Sequence, residues 1–301
     1  MASNSWILYE RTIMSLIQNL FLSYLSLIKV VLWSRPLRSN KRQKQQNKGK
    51  QLIIVANGPS FRLSIEKHRK KILASPTLSV NLFCCTDYYE QVKPTNYLLL
   101  APQFFKADKD LSELYIKNNE ELFSSLKTKT SWPMNLYIPV KYKKARNVID
   151  LKSKNTNITF HYFNTTPIEG LPFISNFIFK NRLGMPRPHN VLIPSLMIGI
   201  AEGYDKISVL GADHSWLGEI SVNEKNEALV NQKHFYDEQS ATSQPMQDYI
   251  KRPRKLHEIL HKFYLSFKGY WEIKHFAEKQ GVEIINSSET SMIDAFDKKG
   301  L

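Results

Sequence analysis

Cysteine is scarce in this sequence, and basic residues outnumber acidic ones. The two cysteines, Cys84 and Cys85, are adjacent in a chain of 301 residues, and neighbouring cysteines rarely bridge each other because disulfide geometry requires converging Cβ atoms. We therefore expect reduced thiols in a cytosolic domain. The 42% hydrophobic and 23% charged residues are typical of a globular chain with one substantial core. This composition argues against a disordered or polytopic membrane protein.

Several common signatures of nucleotide and hydrolase chemistry are also missing. The chain has neither the G-x-x-x-x-G-K spacing of a P-loop nor the three glycines of the dinucleotide fingerprint. It also lacks the Gly-x-Ser-x-Gly elbow of serine hydrolases. A nucleotide site in this protein must therefore use a different turn.

The charge is uneven along the chain, which has 42 basic and 27 acidic residues. Residues 1–50 hold nine of the basic residues and a single acidic one, Glu10, so they carry about half of the net charge of +15. A nucleic-acid-binding domain would interleave basic and aromatic residues on its folded surface. We therefore expect no nucleic-acid partner, and a non-enzymatic basic nucleic-acid-binding protein is the alternative.

Residues 13–33 are mostly apolar, and their polar members recur at helical spacing in one arc of the helix. This pattern predicts an amphipathic helix, and the basic tract at residues 35–50 follows it. The pairing indicates attachment to an anionic membrane surface. A spanning helix and a helix packed on the protein's own core are the alternatives. The positive-inside rule places the basic tract at the cytoplasmic face of the inner membrane.

The remaining residues, 51–301, predict a single α/β domain. Short apolar runs at residues 51–56, 77–83, 96–101, 206–210 and 280–286 are typical of buried parallel strands, with a small-residue helix at 193–202. Strands that alternate with helices indicate a Rossmann-like, doubly wound, mostly parallel sheet. Ligands of such sheets bind beyond the carboxyl ends of the strands. Asn57, Asn81, Pro102 and Asp213 would lie there.

The turn Asn57-Gly58-Pro59-Ser60 follows the first predicted strand. Gly58 allows close backbone approach, and Ser60 is suited to cap the next helix. The amides at the start of that helix would then face an anionic group such as a phosphate.

A set of motifs extends this pattern, namely I-I-V-A-N-G-P-S (53–60), S-V-N-L-F (79–83), A-P-Q-F-F (101–105) and G-Y-D-K-I-S-V-L-G-A-D-H-S-W (203–216). Their order and spacing resemble the metal-independent bacterial lipooligosaccharide sialyltransferases of glycosyltransferase family 42 and the related 6-hydroxymethylpterin diphosphokinase-like proteins. The resemblance implies a Rossmann-like enzyme that transfers a sugar from a nucleotide-sugar donor, a CMP-sugar, to a lipid-linked or cell-surface glycan. It implies no cofactor and no metal.

The turns, the strand ends and the resemblance together predict nine nucleotide-binding residues: Asn57, Gly58, Ser60, Asn81, Pro102, Arg187, Asn190, Gly211 and Asp213. Asn57 would contact the phosphate or ribose, Asn81 the nucleotide or sugar, and the segment 187–190 the donor. Two departures stand out. Ala101 occupies the place of an asparagine in these enzymes, and His214, Ser215 and Trp216 follow the G-A-D turn where they have tyrosines.

Sugar transfer needs a base for the acceptor hydroxyl and groups that stabilise the leaving phosphate. The family pattern places a histidine base after the G-x-D turn, and His234 is our first candidate, followed by His261 and His214. Tyr236 and the basic residues Lys251, Arg252, Arg254 and Lys255 are candidates for neutralising the phosphate. Spacing does not choose among the histidines.

Two further readings remain open. Asp108-Lys109-Asp110 fits the bare D-x-D pattern of metal-dependent transferases, although aspartates in such a helix-starting context are often caps. A diphosphokinase-like pyrophosphoryl transferase would need ATP, magnesium and a carboxylate cluster. The oligomeric state is left open by the sequence.

Overall fold

The computed structural model describes residues 2–37, 41–107, 109, 111–231, 234–235, 242–247 and 252–301, with side chains from Met14 onward. Its main sheet has eight strands in this part of the chain, and a small antiparallel sheet has three. The strands are β1 Gln51–Val55, β2 Thr77–Val80, β3 Asn96–Leu98, β4 Met134–Pro139, β5 Ile158–Phe163, β6 Lys206–Leu210, β7 Ile220–Val222, β8 Ala228–Val230, β9 Gln244–Pro245, β10 Glu283–Asn286 and β11 Asp297–Lys298.

The α-helices of the described residues flank the main sheet or precede it. They are α1 Ala2–Trp33, α2 Lys41–Asn47, α3 Phe61–Ala74, α4 Tyr88–Val92, α5 Glu113–Thr128, α6 Arg146–Lys154, α7 Pro172–Lys180, α8 Leu192–Ala201 and α9 Leu256–Lys279. Proline at the first position of α7 suits a helix start, because the amide it lacks would have no partner there.

The eight strands lie in the order β11-β10-β6-β1-β2-β3-β4-β5, and each neighbouring pair is parallel. Ile53 of β1 is in register with Thr77 on one side and Ser208 on the other. The chain winds outward from β1 to β5 and then returns to place β6 beside β1. The topological switch point therefore lies between β1 and β6, where ligands of open α/β sheets bind. The predicted doubly wound α/β fold is confirmed.

The sheet is buried on both faces, so alternate residues of one strand enter different cores. Leu52 and Ile54 of β1 pack on the side of α8 and α9, whereas Ile53 and Val55 pack on the side of α3 and α5. All four are at most 1% exposed. This explains why the central strands are continuous apolar runs in the sequence.

The expected strands at 51–56 and 206–210 are found almost unchanged, while others are shorter. The run at 77–83 ends as a strand at Val80 and continues as a 3₁₀ turn, Asn81–Cys85. The run at 280–286 is a strand only from Glu283. Strands β4 and β5 were not predicted from the sequence. The expected helix at 193–202 is α8.

Helix α1 packs on the α/β domain through its polar residues. Ser26 Oγ donates to the Glu169 carbonyl at 2.8 Å and accepts from the Glu169 amide at 2.9 Å, while the Leu171 amide donates to Ser23 Oγ at 2.8 Å. The basic tract is also held, because Asn47 Nδ2 donates to the Glu202 carbonyl at 3.0 Å. The apolar arc of α1 therefore faces outward.

Candidate functional site

A large open cleft of about 1270 Å³ lies at the carboxyl edge of the sheet. The segments that follow β1, β2, β3 and β6 contribute to its wall, as do the start of α8 and one side of α9. It is therefore the crevice that the switch point predicts. Nine of the predicted site residues line it: Asn57, Gly58, Asn81, Pro102, Asn190, Gly211, Asp213, His214 and His234.

The first wall of the cleft is built by residues 57–60 and 211–213, which we call the anchored turn. The Gly58 amide donates to the Gly211 carbonyl at 2.7 Å, and the Ser60 amide donates to Asp213 Oδ2 at 2.8 Å. The Ser60 hydroxyl donates to the other carboxylate oxygen of Asp213. A Cβ atom on Gly58 would lie 2.5 Å from the Gly211 oxygen, so this position requires glycine.

Two expectations for this turn are wrong. Ser60 does not cap α3 with its side chain, because its hydroxyl is bonded to Asp213 instead. The amides are not presented to a phosphate either. Those of Gly58 and Ser60 are taken by Gly211 and Asp213, and that of Phe61 donates to the Gly58 carbonyl at 3.1 Å. The Asp213 carboxylate would moreover repel an anion at this place.

Asn57 offers the cleft a hydrogen-bond acceptor. Its Nδ2 donates to the Val80 carbonyl at 3.3 Å, which fixes the orientation of the amide, and its Oδ1 is buried without a partner in the described structure. The residue is 8% exposed and lines the cleft. A buried acceptor without a donor is costly. Asn57 is therefore suited to a hydroxyl or amino group of a ligand, such as a ribose hydroxyl, rather than to a phosphate.

Asn81 begins the segment after β2 with a left-handed backbone, φ +50°. Its Oδ1 accepts from the Leu100 amide at 3.3 Å, and its carbonyl accepts from the Tyr97 hydroxyl at 2.6 Å. Asparagine tolerates this conformation better than most residues. These bonds connect the carboxyl ends of β2 and β3, which places Asn81 and Pro102 on the same wall.

Of the two residues predicted in the segment 187–190, Asn190 reaches the cleft and Arg187 does not. Arg187 does not line it, and its Nη2 forms an ion pair with Glu169 Oε2 at 3.1 Å. Asn190 lines it, but its Oδ1 accepts from the Leu192 and Ile193 amides at 3.1 and 3.3 Å. Asn190 therefore caps the start of α8. Pro188 and His189 occupy the wall between them.

His214 lies directly after Asp213, in a left-handed backbone conformation with φ +53°. Its Nε2 lies 2.6 Å from the Tyr270 hydroxyl, whose oxygen also accepts from Asn190 Nδ2 at 2.8 Å. Burial lowers the pKa of His214 to about 4. Because the Tyr270 oxygen already accepts from Asn190, we assign the Tyr270 hydroxyl as the donor to Nε2, which leaves the proton of the neutral ring on Nδ1. In this tautomer His214 is suited to donate a hydrogen bond rather than to remove a proton.

The other candidate bases occupy different environments. His234 lines the cleft, and the next residue holds it there: the Phe235 amide donates to the Asn57 carbonyl at 2.9 Å, and the Phe235 ring is fully buried beside Phe61. His261 is exposed on α9, does not line the cleft, and stacks on Tyr264. Tyr236 lies outside the described residues, as does Lys251.

Positive charge lies beside a second wall, and we call Arg187, His189, Arg254 and Lys262 the basic cluster, of which His189 and Lys262 line the cleft. Burial, followed by the charges of Lys262, Arg187, Arg254 and His261, lowers the pKa of His189 to about 4. Burial and the Arg254 charge lower the pKa of Lys262. His189 Nε2, Arg187 Nε and Arg254 Nε are buried without a partner within the described residues. The two guanidinium groups, and the His189 ring once it is protonated, are suited to an anion.

Sequence reasoning named the segment of His189 but missed Lys262. Lys262 lies on α9 between Ile259 and Ser266, which are three and four residues away and buried. A lysine on the buried face of an amphipathic helix is the signal that could have identified it. His189 and Lys262 line the cleft together.

A metal-type motif in α9 was also overlooked. His257, Glu258 and His261 have the H-E-x-x-H spacing of zinc proteases. Glu258, however, binds Arg252 at 2.7 Å and accepts from the Lys255 amide at 2.7 Å, and the pKa of its carboxyl is lowered to about 2, chiefly by the hydrogen bond from Arg252. Glu258 thus caps the start of α9.

Among the residues that the structure describes, no group of three or more histidine, cysteine, aspartate or glutamate side chains is arranged to hold a metal ion. Asp108 and Asp110 of the D-x-D pattern lie outside those residues. On the cleft itself, the Asp213 carboxylate is bonded to Ser60, whereas Glu121 of α5 is exposed on the wall. Glu121 is a carboxylate that the sequence analysis did not single out.

Comparison with known proteins gives a likeness in structure and none in sequence. No family model and no curated protein match the chain. The MAf glycosyltransferase from Magnetospirillum magneticum AMB-1 is similar in structure, with a TM-score of 0.49 and 11% sequence identity. The match covers 89% of this chain and 35% of that one, so this chain spans about a third of its neighbour's length. At this similarity the functional assignment depends on the cleft residues themselves.

Proposed function

We propose that the protein is a membrane-associated, sialyltransferase-like glycosyltransferase. It would transfer a sugar from a nucleotide-sugar donor, a CMP-sugar, to a lipid-linked or cell-surface glycan at the cytoplasmic face of the membrane. The observation that carries this proposal is the composition of the cleft. At the switch point it combines an unpartnered buried acceptor, Asn57 Oδ1, with the Lys262 ammonium and the His189 ring, whose Nε2 is buried without a partner among the described residues.

The two sets of groups match the two halves of a nucleotide. Asn57 Oδ1 is suited to accept from a ribose hydroxyl or a base amino group, and the Asn81 side chain lies on the neighbouring strand end. Lys262 and His189 are suited to the phosphate, because both line the cleft and both lack a carboxylate partner among the described residues.

In the reaction the acceptor hydroxyl oxygen attacks the anomeric carbon, and the bond from that carbon to the phosphate oxygen breaks. The nucleotide leaves with the bonding electron pair, and the hydroxyl proton passes to a base on the protein. His234 is the base that we favour, since it lines the cleft and is held beside Asn57 by Phe235. Lys262 would stabilise the charge that develops on the leaving phosphate.

The test is thermal stabilisation of the full chain by CMP, CDP, UDP, GDP and ATP, each with and without magnesium. We expect a selective, magnesium-independent shift with CMP and release of CMP from a CMP-sugar. A shift with UDP or GDP would contradict the proposed donor. A magnesium-dependent shift with ATP alone would overturn sugar transfer in favour of pyrophosphoryl transfer.

Asn57→Ala and Asn119→Ala form a matched pair for this test. Both asparagines are 8% exposed, and each has a buried Oδ1 without a partner in the described structure, but Asn119 does not line the cleft. We expect about a tenfold loss of CMP affinity in Asn57→Ala, the value of one ligand hydrogen bond. Asn119→Ala should bind CMP normally. Equal losses in both variants would contradict a specific role for Asn57.

A further inference from the structure

Helix α1 turns its polar side towards the protein, which is the reverse of an ordinary surface helix. Besides the bonds of Ser23 and Ser26 with residues 169–171, Lys29 Nζ lies 3.7 Å from Glu169 Oε2. Ser34 Oγ lies 2.8 Å from Thr166 Oγ1. These contacts run along about 16 Å of the helix at 1.5 Å per residue. The helix therefore lies along the domain.

The contact is close as well as long. Gly170 approaches α1 so tightly that a Cβ on it would lie 2.5 Å from the Ser23 amide nitrogen and 2.7 Å from the Asn19 carbonyl oxygen. Both Ser23 and Ser26 are at most 2% exposed. Such packing fixes the rotation of the helix about its axis.

The opposite side of α1 is an unbroken apolar stripe. Ile17, Phe21, Tyr24, Ile28 and Val31 follow the three- and four-residue spacing of one helix face and are 38 to 80% exposed. The segment Met14–Trp33 is long and apolar enough to cross a membrane, but only 11% of it is buried in the protein. Water is an unfavourable environment for such a face.

A second helix extends this surface. Helix α7 begins directly after Leu171, whose amide is bonded to Ser23 of α1. Its Phe173 and Phe177 are one helical turn apart and 69% and 66% exposed. We call the outer stripe of α1 together with Phe173 and Phe177 the apolar face.

The charges around the apolar face indicate what binds to it. No acidic residue occurs between Glu10 and Glu66, whereas Arg35, Lys41, Arg42 and Lys48 are exposed on the segment that follows α1. Lys180 is exposed at the end of α7. Apolar side chains bordered by cations match the acyl chains and anionic headgroups of a bilayer surface.

We propose that the apolar face docks the protein on an anionic bilayer with α1 lying in the membrane plane rather than crossing it. A crossing helix would have to give up the contacts with Thr166 and residues 169–171. This proposal deepens the membrane association stated under the proposed function and rests on it. Thr165 of the same segment lines the cleft, and Glu169 binds Arg187. The docked helix thus holds the cleft next to the lipid surface, where a lipid-linked acceptor would be presented.

The first test is flotation of the full chain with vesicles of phosphatidylcholine alone or with a quarter of phosphatidylglycerol. We expect binding to the anionic vesicles and at least a tenfold weaker partition for Phe173→Ser/Phe177→Ser. The matched control is Leu63→Ser/Leu73→Ser on α3, whose side chains are 58% and 44% exposed. Equal binding by both double variants would overturn the docking face.

The second test measures how deeply residues of α1 lie in the bilayer. Single spin labels at Ile17→Cys, Tyr24→Cys and Val31→Cys, in a Cys85→Ser background, should all report the same shallow depth. A deep Tyr24 label between two shallow ones would show a crossing helix and overturn the proposal. Sedimentation in detergent tests whether a second copy of the chain covers the apolar face instead. A dimer that becomes a monomer in Phe173→Ser/Phe177→Ser would assign the face to that second copy.

These outcomes are independent of the nucleotide experiments. The apolar-face variants should keep the thermal shift with CMP, because none of their residues lines the cleft. Vesicle binding without any nucleotide shift would leave the docking face in place and remove the proposed transferase. A nucleotide shift without vesicle binding would leave the proposed transferase in place and remove the docking face.

Discussion

The anchored turn forms one wall of the cleft and the basic cluster reaches another through His189 and Lys262, yet the polar groups of the two are used in opposite ways. In the anchored turn the amides of Gly58 and Ser60 and both Asp213 carboxylate oxygens are bonded within the protein. In the basic cluster His189 Nε2, Arg187 Nε and Arg254 Nε have no partner among the described residues.

This difference gives the anchored turn a role in the shape of the cleft and the basic cluster a role in binding. Internal bonds make the anchored turn a rigid wall whose contribution to a ligand is steric, apart from Asn57 Oδ1. In the basic cluster His189 and Lys262 are desolvated and have no carboxylate partner among the described residues, which costs stability until an anion arrives. Substitutions in the first wall should therefore change folding, and substitutions in the second should change binding.

The largest effect is expected for Gly58→Ala. The new Cβ would lie 2.5 Å from the Gly211 oxygen and 2.6 Å from Asp213 Oδ2, so the turn must open. We expect a loss of about 3 kcal/mol in the free energy of unfolding, as for overpacked sites. Gly218→Ala is the control, because its nearest atom would be at 3.5 Å. Urea unfolding of both variants is the measurement, and equal stabilities would contradict the rigid wall.

Acidification should destabilise the protein through two histidines, His189 of the basic cluster and His214 next to the anchored turn. The pKa values of His189 and His214 are lowered to about 4 in the folded state, so below about pH 6.5 the unfolded chain binds protons first. Stability should fall between about pH 6.5 and 4, by at most about 3 kcal/mol for each ring. In His189→Gln the part of this pH dependence that His189 contributes should be absent. Thermal unfolding measured across this pH range is the test. An unchanged profile would contradict the burial of His189.

The same pH series can be measured in saturating CMP. A phosphate beside His189 favours the charged ring, so CMP should reduce the acid sensitivity of the wild-type protein. It should have no such effect in His189→Gln.

A smaller loss is expected for Ser60→Ala, which leaves Asp213 Oδ1 without the Ser60 hydroxyl. We expect about 2 kcal/mol lower stability, the cost of a buried group without its partner. Ser75→Ala removes an exposed hydroxyl bond to Lys71 and should change stability by less than about 0.5 kcal/mol. Calorimetry distinguishes the two. Normal stability with impaired CMP binding in Ser60→Ala would reverse the roles of the walls.

The smallest free-energy change, and the one that concerns binding alone, is expected for Lys262→Met. We predict about tenfold weaker CMP binding, or about 1.4 kcal/mol, with unchanged or slightly higher stability because a desolvated charge is removed. Lys279→Met removes the same charge from the exposed end of α9 and should bind CMP normally. Calorimetric titration measures both, and equal affinities would contradict the phosphate role.

The central strands could be predicted because burial on both faces makes them apolar runs, as in residues 51–55. Strands β4 and β5 were missed because they include polar residues, such as Asn135 and His161, that face a half-buried surface. Candidate residues after strand ends were also found, since the carboxyl ends of parallel strands meet at one edge. The pairing of Ser60 with Asp213, 153 residues apart, has no local signal.

By itself the sequence determined that the chain forms a parallel α/β sheet with an apolar N-terminal helix and a turn at Asn57 after the first strand. These features depend on periodicity and on residues close in the chain. Only the tertiary structure decided which polar groups remain for a ligand, because a hydrogen bond such as that from Ser60 to Asp213 depends on distant segments meeting. It also decided the direction of α1, since Gly170 and Glu169 bind its polar side and leave its apolar side outward.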